Sequence, residues 1–372
     1  MAAFPNCLRG RCPARVLANA ERRAEGVGTG ADRVLIASGA IREEDYVRAL
    51  AKRLGVPFEE LDGTPRADCP FSDNEIIRKA ADGMLTLVSG GTPAVVIAPR
   101  RFAARGLSLM LAQNPALAKQ WRFTTSERLN RFILRCAGAS LATQAADRLR
   151  QNAPELSAGS GRKRHRGWLA LLSFMALASL APEFAVSAVE VLLAVLFLGW
   201  LGLRLSGTVL PASSPKPLPQ VSDDTLPVYT VIAALYREAA SVEGLLHAIA
   251  RLDYPREKLD VVLAVEADDK ETRAAIANCT AGLPVTVVAV PAGEPRTKPR
   301  ALNAALPFAQ GAFTVIYDAE DRPDPDQLRR ALHVFAHCGD KLACVQARLT
   351  IDNTADSWLT RGIMAQTPQA IC

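Results

Sequence analysis

Three regimes of apolar and polar alternation follow one another along the chain. In the first, over about residues 30 to 135, VLIASGAI precedes REEDYVRALAKRLGVPF, where Tyr46, Val47, Leu50 and Leu54 recur at helical spacing and Gly55 with Pro57 stops the helix. TPAVVIAPR then reads as a strand. This pattern predicts a small α+β domain over residues 30–150, behind a flexible tail over 1–29.

The second regime, Trp168 to Leu203, carries charge only at Glu183 and Glu190. One membrane-spanning helix needs about 20 apolar residues, so this run is too long for one span and breaks naturally at Pro182-Glu183. A transmembrane hairpin over 167–204 is predicted, with helices at about 167–181 and 184–203. The cluster Arg162-Lys163-Arg164-His165-Arg166 before it and Arg204 after it place both flanking regions in the cytoplasm, with Glu183 at the far turn. A buried hairpin of a soluble core is the alternative, disfavoured because such helices seldom lack a polar face. A polar, basic linker over 151–166 and a Pro/Ser-rich one over 205–226 bracket the hairpin.

In the third regime, apolar runs alternate with helical stretches: VYTVIAAL and a helix at 240–251, LDVVLAVE and 270–279, PVTVVAV and 299–309, AFTVIYD and 325–336, then LACVQARL. Strands alternating with helices imply a mostly parallel, Rossmann-like sheet covered on both faces. Ligands of such sheets bind beyond the carboxyl ends of the strands.

Composition narrows the function classes. With 49% apolar and 22% charged residues the chain is globular, tilted slightly toward a membrane protein. The net charge of +6 is partly concentrated in the cluster at 162–166, without an extended basic face, so nucleic acid is not expected as a partner. Eight scattered cysteines form neither a CxxC pair nor a zinc-type cluster, which suits free thiols in a reducing compartment. The N-terminus lacks the continuous apolar core of a signal peptide.

The strand-end segments hold the candidate chemistry: Tyr236-Arg237-Glu238, Glu266-Ala267-Asp268-Asp269, the loop with Arg296, Lys298 and Arg300, and Asp318-Ala319-Glu320-Asp321. Carboxylates facing cations in this way suit a hard divalent ion, Mg2+ or Mn2+, bridging to a diphosphate. Neither a GxxxxGK[ST] loop nor GxGxxG after the first strand is present, which argues against a P-loop enzyme and a dinucleotide-binding dehydrogenase. Simpler roles stand beside these. Glu238 could begin the following helix, Asp268 or Asp269 could cap the helix from Lys270, and Lys298 could belong to a solvated loop. In VIYDAEDRPDPDQL, Asp324 suits an N-cap, Pro325 the first helical position, Asp326 the positive dipole end and Gln327 the capping-box position. Asp318, Glu320 and Asp321 then remain for metal and diphosphate.

From Pro227 to Arg361 the sequence resembles family 2 glycosyltransferases of the GT-A fold, and among them membrane-bound, cellulose-synthase-like polysaccharide synthases. The likeness rests on ALYRE, LDYPREKLDVVLAVEADDKET, PRTKPRALNAAL and VIYDAEDRPDPDQL. It implies inverting transfer of a sugar from a nucleotide-diphosphate sugar, UDP-linked, to a growing polysaccharide. By the same resemblance Asp318-Ala319-Glu320 takes the place of the DxD metal motif, with Asp321 an adjacent metal candidate. The acid that contacts the nucleotide falls on Glu266 or Asp268, Glu238 is the contact of the first loop, and Lys298 lies beside the diphosphate. Complete members continue with a Thr-Glu-Asp segment carrying the acceptor base and a Gln-x-x-Arg-Trp motif. Here GIMAQTPQAIC follows Arg361 instead. The catalytic domain is therefore expected as a half-domain over 227–361 with an atypical tail over 362–372, no catalytic base is identified, and the activity of this chain is left open.

The segment SGAIREEDYVRALAKRLGVPFEELD resembles the N-terminal domain of type II secretion ATPases, some of which bind cyclic di-GMP. Where those carry Arg-Leu-Gly this chain has Gly30-Ala31-Asp32, so cyclic di-GMP is not expected, and the domain is read as a docking or regulatory module for a protein partner. The whole is expected as a multi-pass protein of the bacterial inner membrane, in contact with lipid, with both terminal domains cytoplasmic. Two rival readings are a non-catalytic membrane scaffold or remnant, and a nucleotidyltransferase.

Overall fold

The structure, a computed structural model, describes residues 5–8, 10, 12–89, 91–99, 104–157, 165–180, 182–209, 221–279, 282–338 and 342–347. Two compact units emerge: Met1–Arg148 with Gln220–Leu328, and Leu149–Pro219 with Arg329–Cys372.

In chain order the first unit begins with α1 (Ala14–Val27), α2 (Ala31–Ala37), α3 (Glu43–Leu54), α4 (Asp73–Asp82), β1 (Met84–Ser89), β2 (Thr92–Ile97), α5 (Ala104–Gln113), α6 (Leu117–Gln120), β3 (Trp121–Phe123) and α7 (Ser126–Asn152). β1 and β2 form an antiparallel hairpin, and β3 joins β2 in parallel. The helix expected from Tyr46, Val47 and Leu50 is α3; all three are buried, acids occupy its first turn, Lys52 and Arg53 its last, and Gly55 ends it at φ 66. The flexible tail expected over 1–29 is not observed at 14–27. Leu17, Ala20, Ala24 and Val27 recur every three or four residues and bury one face of α1, which outweighs the polar character of the rest.

The second half of this unit contains β4 (Tyr229–Leu235), α10 (Val242–Ala250), β5 (Leu259–Glu266), α11 (Lys270–Asn278), β6 (Val285–Val290), α12 (Lys298–Ala305), β7 (Phe313–Tyr317) and the start of α13 (Gln327–Cys338). α8 (His165–Leu180) and α9 (Pro182–Val209) lie between α7 and β4 in sequence. The four strands are parallel in the order β6-β5-β4-β7. The α/β class and the parallel sheet agree with the expected GT-A architecture. Every residue of β5 is buried, as a central strand covered on both faces requires.

One face of this sheet is closed from outside its own segment. Ile232, Val262, Ala264, Val288 and Val290 share a core with Ala301, Ala304, Ala305 and Phe308 of the α12 region. The same core takes in Ile76, Ile77 and Ala80 of α4 and Leu129, Phe132, Ile133, Ala137, Leu141 and Ala145 of α7. Each large side chain fully buried there contributes about 1.5–3 kcal/mol, so α4 and α7 are a substantial part of this layer. At the other end of the strands, Arg23 of α1 reaches Glu257 at 3.3 Å, and Lys258 Nζ donates to the carbonyls of Asp223, Asp224 and Leu226.

LACVQARL, expected as a strand, is irregular over 342–347, and its remaining residues lie outside those described. An apolar run becomes a strand only where a neighbouring strand supplies ladder partners, and among the described residues no strand pairs with 342–347. At the expected capping box the helix begins at Gln327, whose amide donates to the Asp324 carbonyl at 3.1 Å and whose Oε1 accepts from the Tyr317 hydroxyl at 2.6 Å. The expected tail over 362–372 and the linker stretch 210–220 lie outside the described residues.

In the second unit α8 and α9 form a helical pair. Among the described residues, one helix is long and apolar enough to cross a membrane, Val186–Ser206 within α9, with mean hydropathy 2.2 and no part of it buried. The described part of α8 has 16 residues, about 24 Å at 1.5 Å per residue, and the residues on either side of it, 158–164 and 181, lie outside the described residues. Of the two expected spanning helices, one of sufficient length lies among the described residues.

Candidate active site at the strand ends

All four carboxyl ends of the parallel strands open at one rim, and the order β6-β5-β4-β7 puts the switch point between β4 and β7. A crevice forms there because connections leave to opposite sides. The loops meeting around it carry Tyr236 to Glu238, Glu266 to Asp269, Pro291 to Lys298 and Asp318 to Asp321.

Three carboxylate–cation pairs tie these loops together. Lys298, at the first position of α12, forms an ion pair with Asp318, both partly exposed. Arg296 Nη1 stands 2.8 Å from Asp268 Oδ2, with side chains 41% and 56% exposed. Arg300 Nη2 reaches Glu266 at 3.2 and 3.3 Å, and these side chains are 1% and 7% exposed. Arg300 Nη1 also donates to the Pro291 carbonyl at 3.0 Å. Successive helical residues are rotated by about 100°, so Lys298 and Arg300 point to nearly opposite sides of α12, one to the crevice and one to the core.

Asp269 is a buried organiser. Its Oδ1 accepts from Thr272 N at 3.0 Å, capping α11, and its Oδ2 accepts from Arg237 N at 2.6 Å. Arg237 has φ 58, a left-handed conformation that costs a non-glycine residue about 1–2 kcal/mol. The Asp269 hydrogen bond secures that turn. Burial alone would raise the Asp269 pKa, but the amides of Arg237 and Thr272 and the Thr272 hydroxyl outweigh it and hold it below the ordinary value. Glu238, expected to face a nucleotide, accepts from Ser241 Oγ at 3.1 Å beside the start of α10, and its amide donates to Thr272 Oγ1 at 3.1 Å.

Asp318, Glu320 and Asp321 do not converge as a ligand trio. Asp321 Oδ2 turns back to accept from Asp318 N at 2.7 Å, Glu320 lies exposed, and Asp318 faces Lys298. Among the described residues no three His, Cys, Asp or Glu side chains gather as a metal-binding group. Burial and the neighbouring Glu320 charge push the Asp321 pKa up, against Lys298 and Arg322. Mg2+ is commonly held by one or two carboxylates together with substrate phosphates rather than by a full protein cage. The donor set at this rim, a half-exposed Asp318 with hard oxygens nearby, fits that mode and not a preformed cage.

The cap of α11 expected from Asp268 or Asp269 is Asp269, whereas the buried role of Arg300 was not foreseen from the sequence. For Arg300 a signal existed: it heads the series Arg300, Ala301, Ala304, Ala305 on the buried face of α12. An arginine in register with a core stripe requires a buried acid.

This rim lines acids and cations along the carboxyl ends of a parallel sheet, where ligands of open α/β sheets bind. Residues 227–369 match the family described as glycosyltransferase like family 2, and this region carries a domain of that kind. A curated relative, the beta-monoglucosyldiacylglycerol synthase of Synechocystis sp., is 27% identical over 161 residues, covering 43% of this chain and 33% of its own. The chain thus spans about a third of the length of that relative. Among solved structures, the mannosyltransferase PcManGT from Pyrobaculum calidifontis, in complex with GDP-Man and Mn2+, is 32% identical with a TM-score of 0.31, covering 39% of this chain and 42% of its own. A structure of MshE with cdg is 18% identical with a TM-score of 0.28, covering 36% of this chain and 99% of its own.

Proposed function

We propose that the strand-end rim binds a nucleotide-diphosphate sugar, UDP-linked, and that the protein transfers the sugar with inversion to a growing polysaccharide at the bacterial inner membrane. The observation that carries this reading is the pairing of Asp318 with Lys298 and of Asp268 with Arg296 at the strand ends of a family 2 glycosyltransferase-like domain. Both pairs are accessible, so a diphosphate can exchange into them, taking the cations while the carboxylates turn to metal or ribose.

In this reading Asp318 holds Mg2+ or Mn2+ together with the donor diphosphate, with Glu320 and Asp321 beside it. The ion supplies charge neutralisation to the departing diphosphate. Lys298 and Arg296 meet the same negative charge as the sugar–phosphate bond breaks and the acceptor hydroxyl, losing its proton to solvent water, bonds through its oxygen to the sugar carbon. Asp268 is the nucleotide contact, being exposed, whereas Glu266 is committed to Arg300. Glu238 lines the first loop. The hairpin of α8 and α9 anchors the chain in lipid as a multi-pass protein with cytoplasmic ends, Val186–Ser206 being its best-qualified span. The N-terminal domain serves regulation or docking, and cyclic di-GMP is not assigned to it.

The test is calorimetry of the full-length chain with UDP-sugars and Mn2+. Asp318→Asn is expected to abolish manganese-dependent binding, while Asp326→Asn, beyond the strand end, leaves it nearly intact. Equal effects of the two substitutions, or binding of nucleoside triphosphates without UDP-sugars, would overturn the reading, the second result pointing to a nucleotidyltransferase.

A further inference from the structure

The segment between β6 and α12, which bears Arg296 and leads into Lys298, is gripped from two sides. On one side is α7. Gly138 lies against the Pro291 ring, at 3.4 Å from where a methyl on Gly138 would stand, and Ala142 faces Gly293. On the other side is Arg300. A methyl placed on Gly293 would come within 2.7 Å of Arg300 Nη1 and 3.3 Å of Ala142 Cβ, so only glycine fits between them. One turn further along, Asn303 Nδ2 of α12 donates to the Ala145 carbonyl of α7 at 2.9 Å. Three consecutive contacts at one-turn spacing, through Gly138, Ala142 and Ala145, therefore run from α7 into the loop and helix that carry the site cations.

Arg300 transmits this grip. Its guanidinium is fixed at once by the Pro291 carbonyl and the Glu266 carboxylate, and it is almost completely buried. It cannot relax into solvent. Lys298 projects from the opposite side of the same short helix, so the rotation of α12 that seats Arg300 also sets where Lys298 stands. Arg296, two residues earlier, is held between Asp268 and the same loop.

We infer that α7 is a positioning element of the nucleotide-sugar site: by clamping Pro291 to Gly293 against Arg300 it fixes the loop and the roll of α12, and thereby the placement of Arg296 and Lys298. This rests on the proposed function for the identity of the ligand, but the mechanical coupling does not. The N-terminal module is on this view a working part of the transferase region, whether or not it also meets a protein partner.

The experiment is hydrogen exchange on the full-length chain, read at the backbone of residues 291–300, with UDP-sugar affinity measured in parallel. Ala142→Leu forces a larger side chain toward Gly293. It is expected to raise exchange across 291–300 and to raise the UDP-sugar Kd by about tenfold or more, since small misplacements of positioning groups carry such costs. Ala142→Ser restores wild-type behaviour. Ala139→Leu, on the exposed side of α7, matches wild type in both readouts. If Ala142→Leu does not fold, Asn303→Ala decides, with faster exchange over 291–300 expected from loss of the α7 hydrogen bond. A folded Ala142→Leu, or failing that Asn303→Ala, with unchanged exchange at 291–300 overturns the inference. A wild-type chain that binds no UDP-sugar overturns the proposed function alone, and the exchange data still judge the role of α7.

Discussion

Glu266 and Asp268 stand two residues apart at the end of β5, and each holds an arginine from the segment after β6, yet the two pairs live in different media. Glu266 and Arg300 are buried in the core shared with α7, whereas Asp268 and Arg296 stand half in water. A buried pair is costly to separate because either partner alone is an uncompensated charge in a poor dielectric. An exposed pair is worth little to stability and exchanges readily with other ions. One pair is therefore scaffolding and the other is available to a ligand, although both look alike as sequence.

Breaking the buried member of this contrast has the largest expected effect. Glu266→Gln leaves Arg300 buried without a counter-charge and is expected to cost about 3–5 kcal/mol of unfolding free energy by chemical denaturation. The double variant Glu266→Leu with Arg300→Met recovers most of it, because packed apolar groups can replace a buried pair. A loss under about 1 kcal/mol for the single variant would mean that the pair is solvated and the contrast false.

Asp269 tests an intermediate case, buried but satisfied by amides rather than by a cation. Asp269→Ala is expected to cost about 1–2 kcal/mol through the α11 cap and the Arg237 turn. Because its folded pKa lies below the unfolded value, its stabilisation is present above the ordinary carboxylate pKa and disappears as pH falls through the folded value. Thermal melts of wild type and Asp269→Ala should therefore converge on acidification below about pH 4. A difference that persists or widens in acid would place the stabilisation elsewhere.

The exposed pair gives the smallest stability change. Arg296→Ala is expected to leave the melting temperature unshifted while weakening UDP-sugar affinity by up to about tenfold, less at high salt. If Arg296→Ala destabilises the chain as Glu266→Gln does, burial has not separated the two roles.

Much of this architecture was legible beforehand because its signals are local. Apolar runs of β4 to β7 alternate with helices, Gly55 ends α3, and the acid-bearing and cation-bearing segments fall at strand ends as the parallel connection rule demands. What failed had non-local causes. The buried face of α1 needed a core supplied by distant residues, and the Gln327 side chain meets the Tyr317 hydroxyl across the turn. The three carboxylates of the expected metal site point apart, because adjacent carboxylates share a loop but not a direction and the Asp318 amide turns Asp321 inward.

By itself the sequence determined the strand–helix alternation, the apolar segment of α9 and the chemical types gathered at the strand ends, since each follows from periodicity, length or spacing within a few residues. Only the tertiary structure decided that Glu266 is internal and Asp268 accessible, that Arg300 points to the core while Lys298 points to the crevice, and that α7 closes the sheet. Those outcomes depend on which surfaces meet across more than a hundred residues of chain, and burial, unlike spacing, is a property of the meeting surfaces.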